Sequence, residues 1–247
     1  MSIIEEVLDM PVDEGKMAVF TYREDDDVRR PAIVLLHDAH GLIRGTLDIA
    51  RGLAAEGFVV AAPDTFHRAG RMMTDESGLA QRDGMLLRKG MTNDGHLSDM
   101  NRLAKHLQSQ AYVTDGPVGV TGFCLGGRIA FLAAARGVGF GPSVLFYPTR
   151  LWQPDPAVPD APTPLSVANV TSPMLSFFPE LDPQNPTERV EEFARTFVDA
   201  PVESVVIPNG KHGFAQPGGV NFQPERGPEA WQRCIAFFKQ HLHVAAA

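Results

Sequence analysis

The chain has 247 residues, 44% of them hydrophobic, and a formal net charge of −8 at pH 7. This is enough apolar sequence for a full core, and no run approaches the roughly 18 apolar residues of a membrane span. The negative charge argues against nucleic acid or an anionic membrane as a partner. Two cysteines, Cys124 and Cys234, are too few for a disulfide framework. The acidic first residues do not resemble a signal peptide, so we expect a cytoplasmic protein.

Strand and helix patterns alternate along the chain. This alternation predicts an α/β fold, with one domain over residues 1–247 and a mostly parallel sheet flanked by helices on both faces. Strands are predicted, in chain order, at residues 16–22, 31–36, 58–62, 118–121, 143–147, 173–178 and 202–207. Helices are predicted at residues 47–56, 97–110, 129–135, 187–197 and 229–242. The first strand alternates weakly and is predicted to be an antiparallel edge strand. Residues 68–95 are interpreted as an irregular excursion and the proline-rich residues 148–171 as a surface loop.

The most informative motif is Gly-Phe-Cys-Leu-Gly-Gly at residues 122–127. It lies between a predicted strand and a predicted helix, the order of the nucleophile elbow in α/β-hydrolases, with cysteine in the serine position. Glycine is needed two residues to either side of Cys124, because side chains there would collide with neighbouring backbone. The N-terminus of the helix favours a thiolate. We predict that Cys124 is a nucleophile; the alternative is a buried structural cysteine in a glycine-rich turn.

A cysteine nucleophile needs a base, and the base needs an orienting carboxylate. In this fold they follow in the chain order nucleophile, acid and histidine. Asp182 comes directly after the sixth predicted strand and His212 directly after the seventh, so we predict a triad of Cys124, His212 and Asp182. Glu180 competes for the acid role, and Asp182 and His212 could also be ordinary turn residues. No pair of histidines has convincing zinc spacing, so we expect no metal.

Residues 37–41 follow the second predicted strand, where this fold supplies one of the two N–H groups of an oxyanion hole. We assign that donor to Ala39 and the other to Leu125, the residue after the nucleophile. Asp38 or His40 could contact a substrate, and either could instead be a turn residue.

Together these motifs resemble the dienelactone hydrolase family. The resemblance is carried by the cysteine elbow, by Asp-Pro-Gln-Asn-Pro at residues 182–186 and by His-Gly-Phe-Ala at residues 212–215, and it extends in order over nearly the whole chain. It implies hydrolysis of a small-molecule ester or lactone by a Cys-His-Asp triad, through an acyl-enzyme and without a cofactor.

The resemblance also implies groups that bind the substrate. A carboxylate ahead of the oxyanion loop interacts with the resting cysteine in the family, and Asp38 occupies that position with a shorter side chain than the usual glutamate. Two arginines usually hold the substrate carboxylate. Arg82 resembles one of them, and the other position holds Gln216. We therefore expect a weaker preference for anionic lactones. Arg82 could also lie on a solvated helix face, and Arg128 and Arg150 are the next cations to consider.

Three other interpretations stay open from the sequence. Cys124 could be a redox-sensing thiol, although no resolving cysteine is near and Asp182 and His212 would be unexplained. Residues 122–127 could form a phosphate loop, although its Gly-Lys-Ser/Thr ending is missing. The chain could also be a catalytically silent protein with a hydrolase fold. The sequence identifies neither the substrate nor the oligomeric state.

Overall fold

A computed structural model describes residues 2–69, 92–154 and 160–242. Within these ranges the chain forms an eight-stranded sheet and five α-helices. The strands are β1 (Ile3–Val12), β2 (Gly15–Glu24), β3 (Ala32–Leu36), β4 (Val59–Pro63), β5 (Val118–Phe123), β6 (Phe140–Phe146), β7 (Met174–Pro179) and β8 (Val202–Ile207). The helices are α1 (Arg44–Ala55), α2 (Asn93–Gln108), α3 (Leu125–Arg136), α4 (Thr187–Thr196) and α5 (Arg226–His241).

The strands lie in the order β1-β2-β4-β3-β5-β6-β7-β8. β1 pairs with β2 and β2 with β4 in the antiparallel sense, and the other neighbours are parallel. The strand order reverses at β3 and β5, because β3 leads to β4 on one side while β5 leads to β6 on the other. The crevice at the carboxyl ends of such a pair is the usual ligand position in open α/β sheets. The loops after β3 and β5 flank this crevice.

Both faces of the sheet are covered, which confirms the predicted α/β architecture. Alternate residues of a strand point to opposite faces. On β3, Val34 and Leu36 belong to a buried apolar cluster with residues of α2, α3 and α4. Ile33 and Leu35 belong to a second cluster with residues of α1 and α5. This two-sided burial explains the continuous apolar sequence of the strand. The assignment of the chain to one domain stays a prediction.

The prediction that residues 16–22 form an antiparallel strand is confirmed by β2, but the prediction that this strand lies at the edge was wrong. β1 pairs with β2 over its full length and occupies the edge itself. The sequence of β1 does not alternate residue by residue between apolar and polar side chains, because it begins Ile-Ile-Glu-Glu-Val-Leu. It therefore lacks the period of two that is typical of a strand. A tight hairpin turn specifies the pairing instead, with Gly15 at φ 94° directly after the turn.

Helices α1, α2, α3 and α5 begin three or four residues before their predicted starts at residues 47, 97, 129 and 229. The first turn of each of these helices lacks the apolar periodicity from which the rest of the helix was predicted. In α2 a cap sets the start, because the side chain of Thr92 accepts a hydrogen bond from the N–H of Gly95 at 3.0 Å. None of the helices in the described ranges is long and apolar enough to span a membrane.

The described parts of the loop at residues 148–171 contain one short 3-10 turn, Leu165–Val167. The prediction of a surface loop was wrong in part, because Leu151 and Leu165 are buried. The N–H of Leu165 donates to the carbonyl of Leu151 at 3.1 Å, which folds the loop back on itself. Of the predicted excursion at residues 68–95, residues 70–91 lie outside the described ranges.

Candidate active site

Cys124 lies between the end of β5 and the start of α3, with φ 53° and ψ −112°. Such a conformation is strained for a residue with a side chain and persists only when its surroundings hold it. Here the N–H of Cys124 donates to the carbonyl of Phe146 at 3.1 Å. The N–H groups of Arg128 and Thr149 both donate to the carbonyl of Cys124, each at 3.1 Å. The backbone of the elbow is therefore fixed from three sides.

The glycines of the elbow allow close contact between two backbone segments. A Cβ atom on Gly122 would lie 2.6 Å from the carbonyl group of Gly126. A Cβ atom on Gly126 would lie 2.3 Å from the carbonyl oxygen of Leu36 and 2.5 Å from that of His37. These distances confirm the steric need for glycine at both positions. The loop after β3 therefore rests directly on the first turn of α3.

Asp182 follows β7 and His212 follows β8, and the structure brings their side chains together. His212 Nδ1 lies 2.7 Å from Asp182 Oδ2. Asp182 also accepts hydrogen bonds from the N–H of Gln184 and from Asn185 Nδ2, both at 2.9 Å. Burial alone would raise the pKa of Asp182, but these hydrogen bonds and the charge of His212 hold it below its ordinary value. The carboxylate is therefore ionised beside the imidazole ring.

The other ring nitrogen of His212, Nε2, is buried and has no well-formed hydrogen bond to any described residue. The side chain of Cys124 is nevertheless close enough to the imidazole ring to change its pKa. Burial would lower the pKa of His212, but its interactions with Asp182 and with the Cys124 sulfur raise it to about 10. Glu180 does not compete for this ring, because it accepts a hydrogen bond from the backbone N–H of Asn209 at 2.7 Å instead.

The two residues predicted as oxyanion donors lie on the two packed segments. Leu125 is the first residue of α3, so its N–H has no partner inside the helix. Ala39 lies in the turn after β3, and its N–H makes no backbone hydrogen bond with the residues described here. Both groups are therefore available to a bound ligand.

Asp38 is buried and makes a compact set of hydrogen bonds. Oδ1 accepts from the backbone N–H of His40 at 2.7 Å, and Oδ2 lies 2.8 Å from His40 Nδ1. Gln216 Nε2 donates to the same Oδ2 at 2.8 Å. Burial would raise the pKa of Asp38, but these partners keep it below its ordinary value. Among the described residues Asp38 is therefore bound to His40 and Gln216, whereas the family resemblance implied a contact with the resting cysteine.

Tyr147 belongs to the site but was not predicted from the sequence. It directly follows β6, has φ 40° and is fully buried. Its ring meets the ring of His212 edge to face, with centroids 4.8 Å apart, and its hydroxyl has no hydrogen-bond partner in the described ranges. Burial raises the pKa of Tyr147 well above its ordinary value, and Asp38, Cys124 and Asp182 raise it further. Its position at the carboxyl end of a strand was the signal that could have identified it.

Of the cations considered from the sequence, Arg128 has side-chain contacts that the structure describes. Arg82 lies outside the described residues. Arg128 is buried, and its guanidinium donates to Asn93 Oδ1 at 3.1 Å and to the carbonyl groups of Arg150 and Gln153. It therefore ties the loop after β6 to the start of α2. In the described ranges no cluster of three or more His, Cys, Asp or Glu side chains is arranged to hold a metal ion.

Comparison with known proteins agrees with this arrangement. The sequence model of the dienelactone hydrolase family matches residues 17–242. A candidate carboxymethylenebutenolidase of Azospirillum brasilense is 29% identical over 234 residues, which cover 93% of this chain and 96% of the relative. The carboxymethylenebutenolidase of Rhodococcus opacus is also 29% identical over 234 residues, covering 92% and 88%.

Solved structures show the same fold. The crystal structure of a candidate dienelactone hydrolase from Klebsiella pneumoniae matches with a TM-score of 0.85 at 23% identity, and covers 97% of this chain and 100% of that one. Since the family model matches most of the sequence and the fold agrees, the protein belongs to the dienelactone hydrolase family of α/β-hydrolase enzymes.

Proposed function

We propose that this protein hydrolyses a small-molecule ester or lactone through a triad of Cys124, His212 and Asp182 and an acyl-enzyme intermediate. The observation that carries the proposal is the 2.7 Å contact between His212 Nδ1 and Asp182 Oδ2, beside a cysteine held in the elbow conformation. Family membership supports the same chemistry. The candidate cytoplasmic location stays a prediction.

In the first half-reaction the Cys124 thiolate attacks the carbonyl carbon, and the carbonyl π electrons move to oxygen. The N–H groups of Leu125 and Ala39 stabilise this oxyanion. When the tetrahedral intermediate collapses, the bond to the leaving oxygen breaks, and protonated His212 donates its proton to that oxygen. Asp182 remains ionised and stabilises the imidazolium. The products of this step are the alcohol and a thioester on Cys124; in a lactone the alcohol stays attached to the acyl group.

In the second half-reaction neutral His212 takes a proton from water, and the hydroxide attacks the thioester carbon. The same N–H groups stabilise the second oxyanion. Collapse expels the Cys124 thiolate and releases a carboxylic acid, which restores the starting site without a cofactor. The raised pKa of His212, about 10, means that the imidazole ring is protonated at neutral pH and can donate the proton that the first half-reaction requires.

The charges in the site favour an uncharged acyl group. The pKa of Asp38 is held below its ordinary value, so this carboxylate is charged, and together with Cys124 and Asp182 it raises the pKa of the buried Tyr147. Gln216, at the position of a family arginine, is neutral and donates to Asp38. A substrate carboxylate would therefore meet negative charge where other members of the family offer an arginine. We propose that neutral esters and lactones are good substrates and that the preference for anionic ones is weak.

The test is hydrolysis of p-nitrophenyl acetate by the full chain, combined with mass spectrometry of the acylated protein. The wild type should turn over the ester and carry an acetyl group on Cys124, whereas Cys124→Ala should do neither. Cys234→Ala is the matched control, because Cys234 is the other cysteine and is fully buried in α5. Wild-type turnover by Cys124→Ala would overturn the proposal. Loss of activity in Cys234→Ala, with activity kept in Cys124→Ala, would mean that Cys234 and not Cys124 is the thiol that the reaction needs.

A further inference from the structure

His37 directly follows β3, is fully buried, and has no part in the mechanism described above. Its two ring nitrogens both have partners. Nδ1 lies 2.7 Å from the carbonyl oxygen of Asp38. Nε2 lies 3.1 Å from the backbone nitrogen of Thr65 and 2.9 Å from Thr65 Oγ1. The ring of Phe66 packs against the imidazole edge to face, with centroids 4.9 Å apart.

These partners determine which nitrogen carries the proton. A carbonyl oxygen can only accept a hydrogen bond, so Nδ1 of His37 must be the donor. A backbone N–H can only donate, so Nε2 must be the unprotonated acceptor. The ring is therefore neutral, and burial lowers the pKa of His37 in the same direction. Rotating the ring by 180° would replace both hydrogen bonds by C–H groups, so its orientation is fixed as well.

The hydrogen bond to Asp38 also fixes the direction of a neighbouring group. The carbonyl of Asp38 and the N–H of Ala39 belong to one planar trans peptide, so they point in opposite directions. Thr65 lies just beyond β4, on one side of β3, whereas Cys124 lies just beyond β5, on the other side. The Asp38 carbonyl also accepts from the N–H of Gly41, at the longer distance of 3.3 Å. Because His37 is bonded to the β4 side and makes the shorter contact with this carbonyl, the N–H of Ala39 points away from His37, toward the β5 side.

Close packing on α3 fixes the position of the loop after β3. The carbonyl oxygens of Leu36 and His37 pack so closely on Gly126 that a single methyl group would not fit between them. Gly126 is the second residue of α3, directly after the predicted donor Leu125. The two N–H groups of the oxyanion hole therefore come from backbone segments in direct contact.

We propose that His37 is a positioning residue: it anchors the 38–39 peptide to Thr65, so that the N–H of Ala39 faces the oxyanion formed at Cys124. This inference rests on the proposed function, because it assigns His37 a role in that reaction. It differs from a role in folding alone, since it predicts a defect in oxyanion stabilisation with an intact nucleophile.

Three substitutions separate these roles. His37→Leu keeps much of the side-chain volume but removes both hydrogen bonds. His37→Asn keeps an amide N–H at the position of Nδ1, so it can still donate to the Asp38 carbonyl. His37→Gln keeps a polar group at the position of Nε2 but has no donor at the position of Nδ1. Thr65→Val is the control, because it removes the hydroxyl contact and leaves the backbone N–H in place.

Two rates should be measured for each variant: turnover of p-nitrophenyl acetate, and alkylation of Cys124 by iodoacetamide. Alkylation displaces iodide at a saturated carbon and forms no oxyanion. For His37→Leu we expect kcat to fall by about 10²-fold, as for loss of one oxyanion donor, with KM and the alkylation rate little changed. His37→Asn should recover part of kcat, because it keeps the donor to the Asp38 carbonyl but not the contact with Thr65, and Thr65→Val should stay near the wild type. If the leucine variant does not fold, His37→Gln should show the same defect.

Unchanged kcat in both His37→Leu and His37→Gln would overturn the inference, and so would a parallel fall in the alkylation rate. A failure of the asparagine variant to recover turnover would also count against it. These outcomes differ from a failure of the proposed function, in which the wild type itself would neither turn over the ester nor become acylated; that result would overturn both.

Discussion

His212 and Asp182 lie 30 residues apart in sequence, yet His212 Nδ1 is 2.7 Å from Asp182 Oδ2. The contact forms because β7 and β8 are parallel neighbours, so the loops after them leave the sheet side by side. Two further hydrogen bonds hold the carboxylate: the N–H of Gln184 donates to Oδ1, and Asn185 Nδ2 donates to Oδ2, the oxygen that also contacts His212. The acid is therefore positioned by its own loop, independently of the histidine.

Asp182→Asn should lower kcat about 10³-fold or more, because a neutral amide neither stabilises the imidazolium nor fixes the ring as a carboxylate does. The measurement is steady-state hydrolysis of a p-nitrophenyl ester. Glu180→Gln is the matched control and should keep wild-type activity, because Glu180 bonds to the backbone of Asn209. A large loss in the Glu180 variant, with activity retained in the Asp182 variant, would transfer the acid role.

Cys124→Ser should be a poor enzyme. The proposed nucleophile is a thiolate, and a serine hydroxyl next to His212 would ionise much less readily than a thiol. We expect a loss of kcat on the order of 10²-fold or more, with the fold unchanged by circular dichroism. Equal activity of the serine and cysteine enzymes would contradict a site arranged around a thiol nucleophile.

Gly126→Ala should destabilise the protein by about 1–3 kcal/mol, since the added methyl group would overlap the backbone of Leu36 and His37. It should also reduce activity by separating the two oxyanion donors. Gly52→Ala in α1 is the control, because no atom lies within 4 Å of the added Cβ. That variant should be about 0.5–1 kcal/mol more stable than the wild type. Urea unfolding of both variants measures the difference, and similar effects at the two sites would contradict the packing argument.

The contribution of His212 to stability should fall as pH rises. Its pKa in the folded protein is about 10, above the ordinary value of 6.5. A raised pKa gives a stabilisation that is fully present below pH 6.5 and is lost as pH approaches 10. The free energy of unfolding of the wild type, measured relative to His212→Gln, should therefore decrease between pH 6.5 and pH 10. A relative increase over this interval would contradict the sign of the shift.

Neutral substrates should compete well with charged ones. A charged hydrogen bond contributes roughly 1.5–3 kcal/mol, against roughly 0.5–1.5 kcal/mol for a neutral one. We expect the wild type to prefer a carboxylated lactone over its methyl ester by less than about 100-fold in kcat/KM, equivalent to about 2.7 kcal/mol. Gln216→Arg should shift the ratio toward the acid, and Gln216→Leu should not. A larger wild-type preference would mean that a further cation besides Arg82 binds the carboxylate, with Arg150 the first candidate.

Topology made Asp182 and His212 predictable, because their positions depend only on which strands they follow. Asp38 was identified as a site residue for the same reason, but its partners were not. It bonds to Gln216, 178 positions away, and no local pattern indicates such a pair. Long-range contacts of this kind depend on side-chain direction, which strand order alone does not determine.

His37 and Tyr147 were missed for a different reason. Each directly follows a strand, but their chemistry depends on backbone geometry beyond the strand end. Tyr147 turns with φ 40° to place its ring against His212, and His37 reaches Thr65 on a neighbouring strand end. In the sequence, Tyr147 is an aromatic residue at the end of an apolar run, and His37 directly follows another apolar run. Both patterns are equally typical of ordinary core packing.

The backbone conformation at position 124 determines which residue type would be most stable there. A side chain at φ 53° costs about 1–3 kcal/mol relative to glycine, which adopts such angles freely. Cys124→Gly would therefore relax the backbone while removing the sulfur. Cysteine at position 124 is a residue that folding alone would not favour, and under the proposed function its presence there reflects a requirement for reactivity over stability.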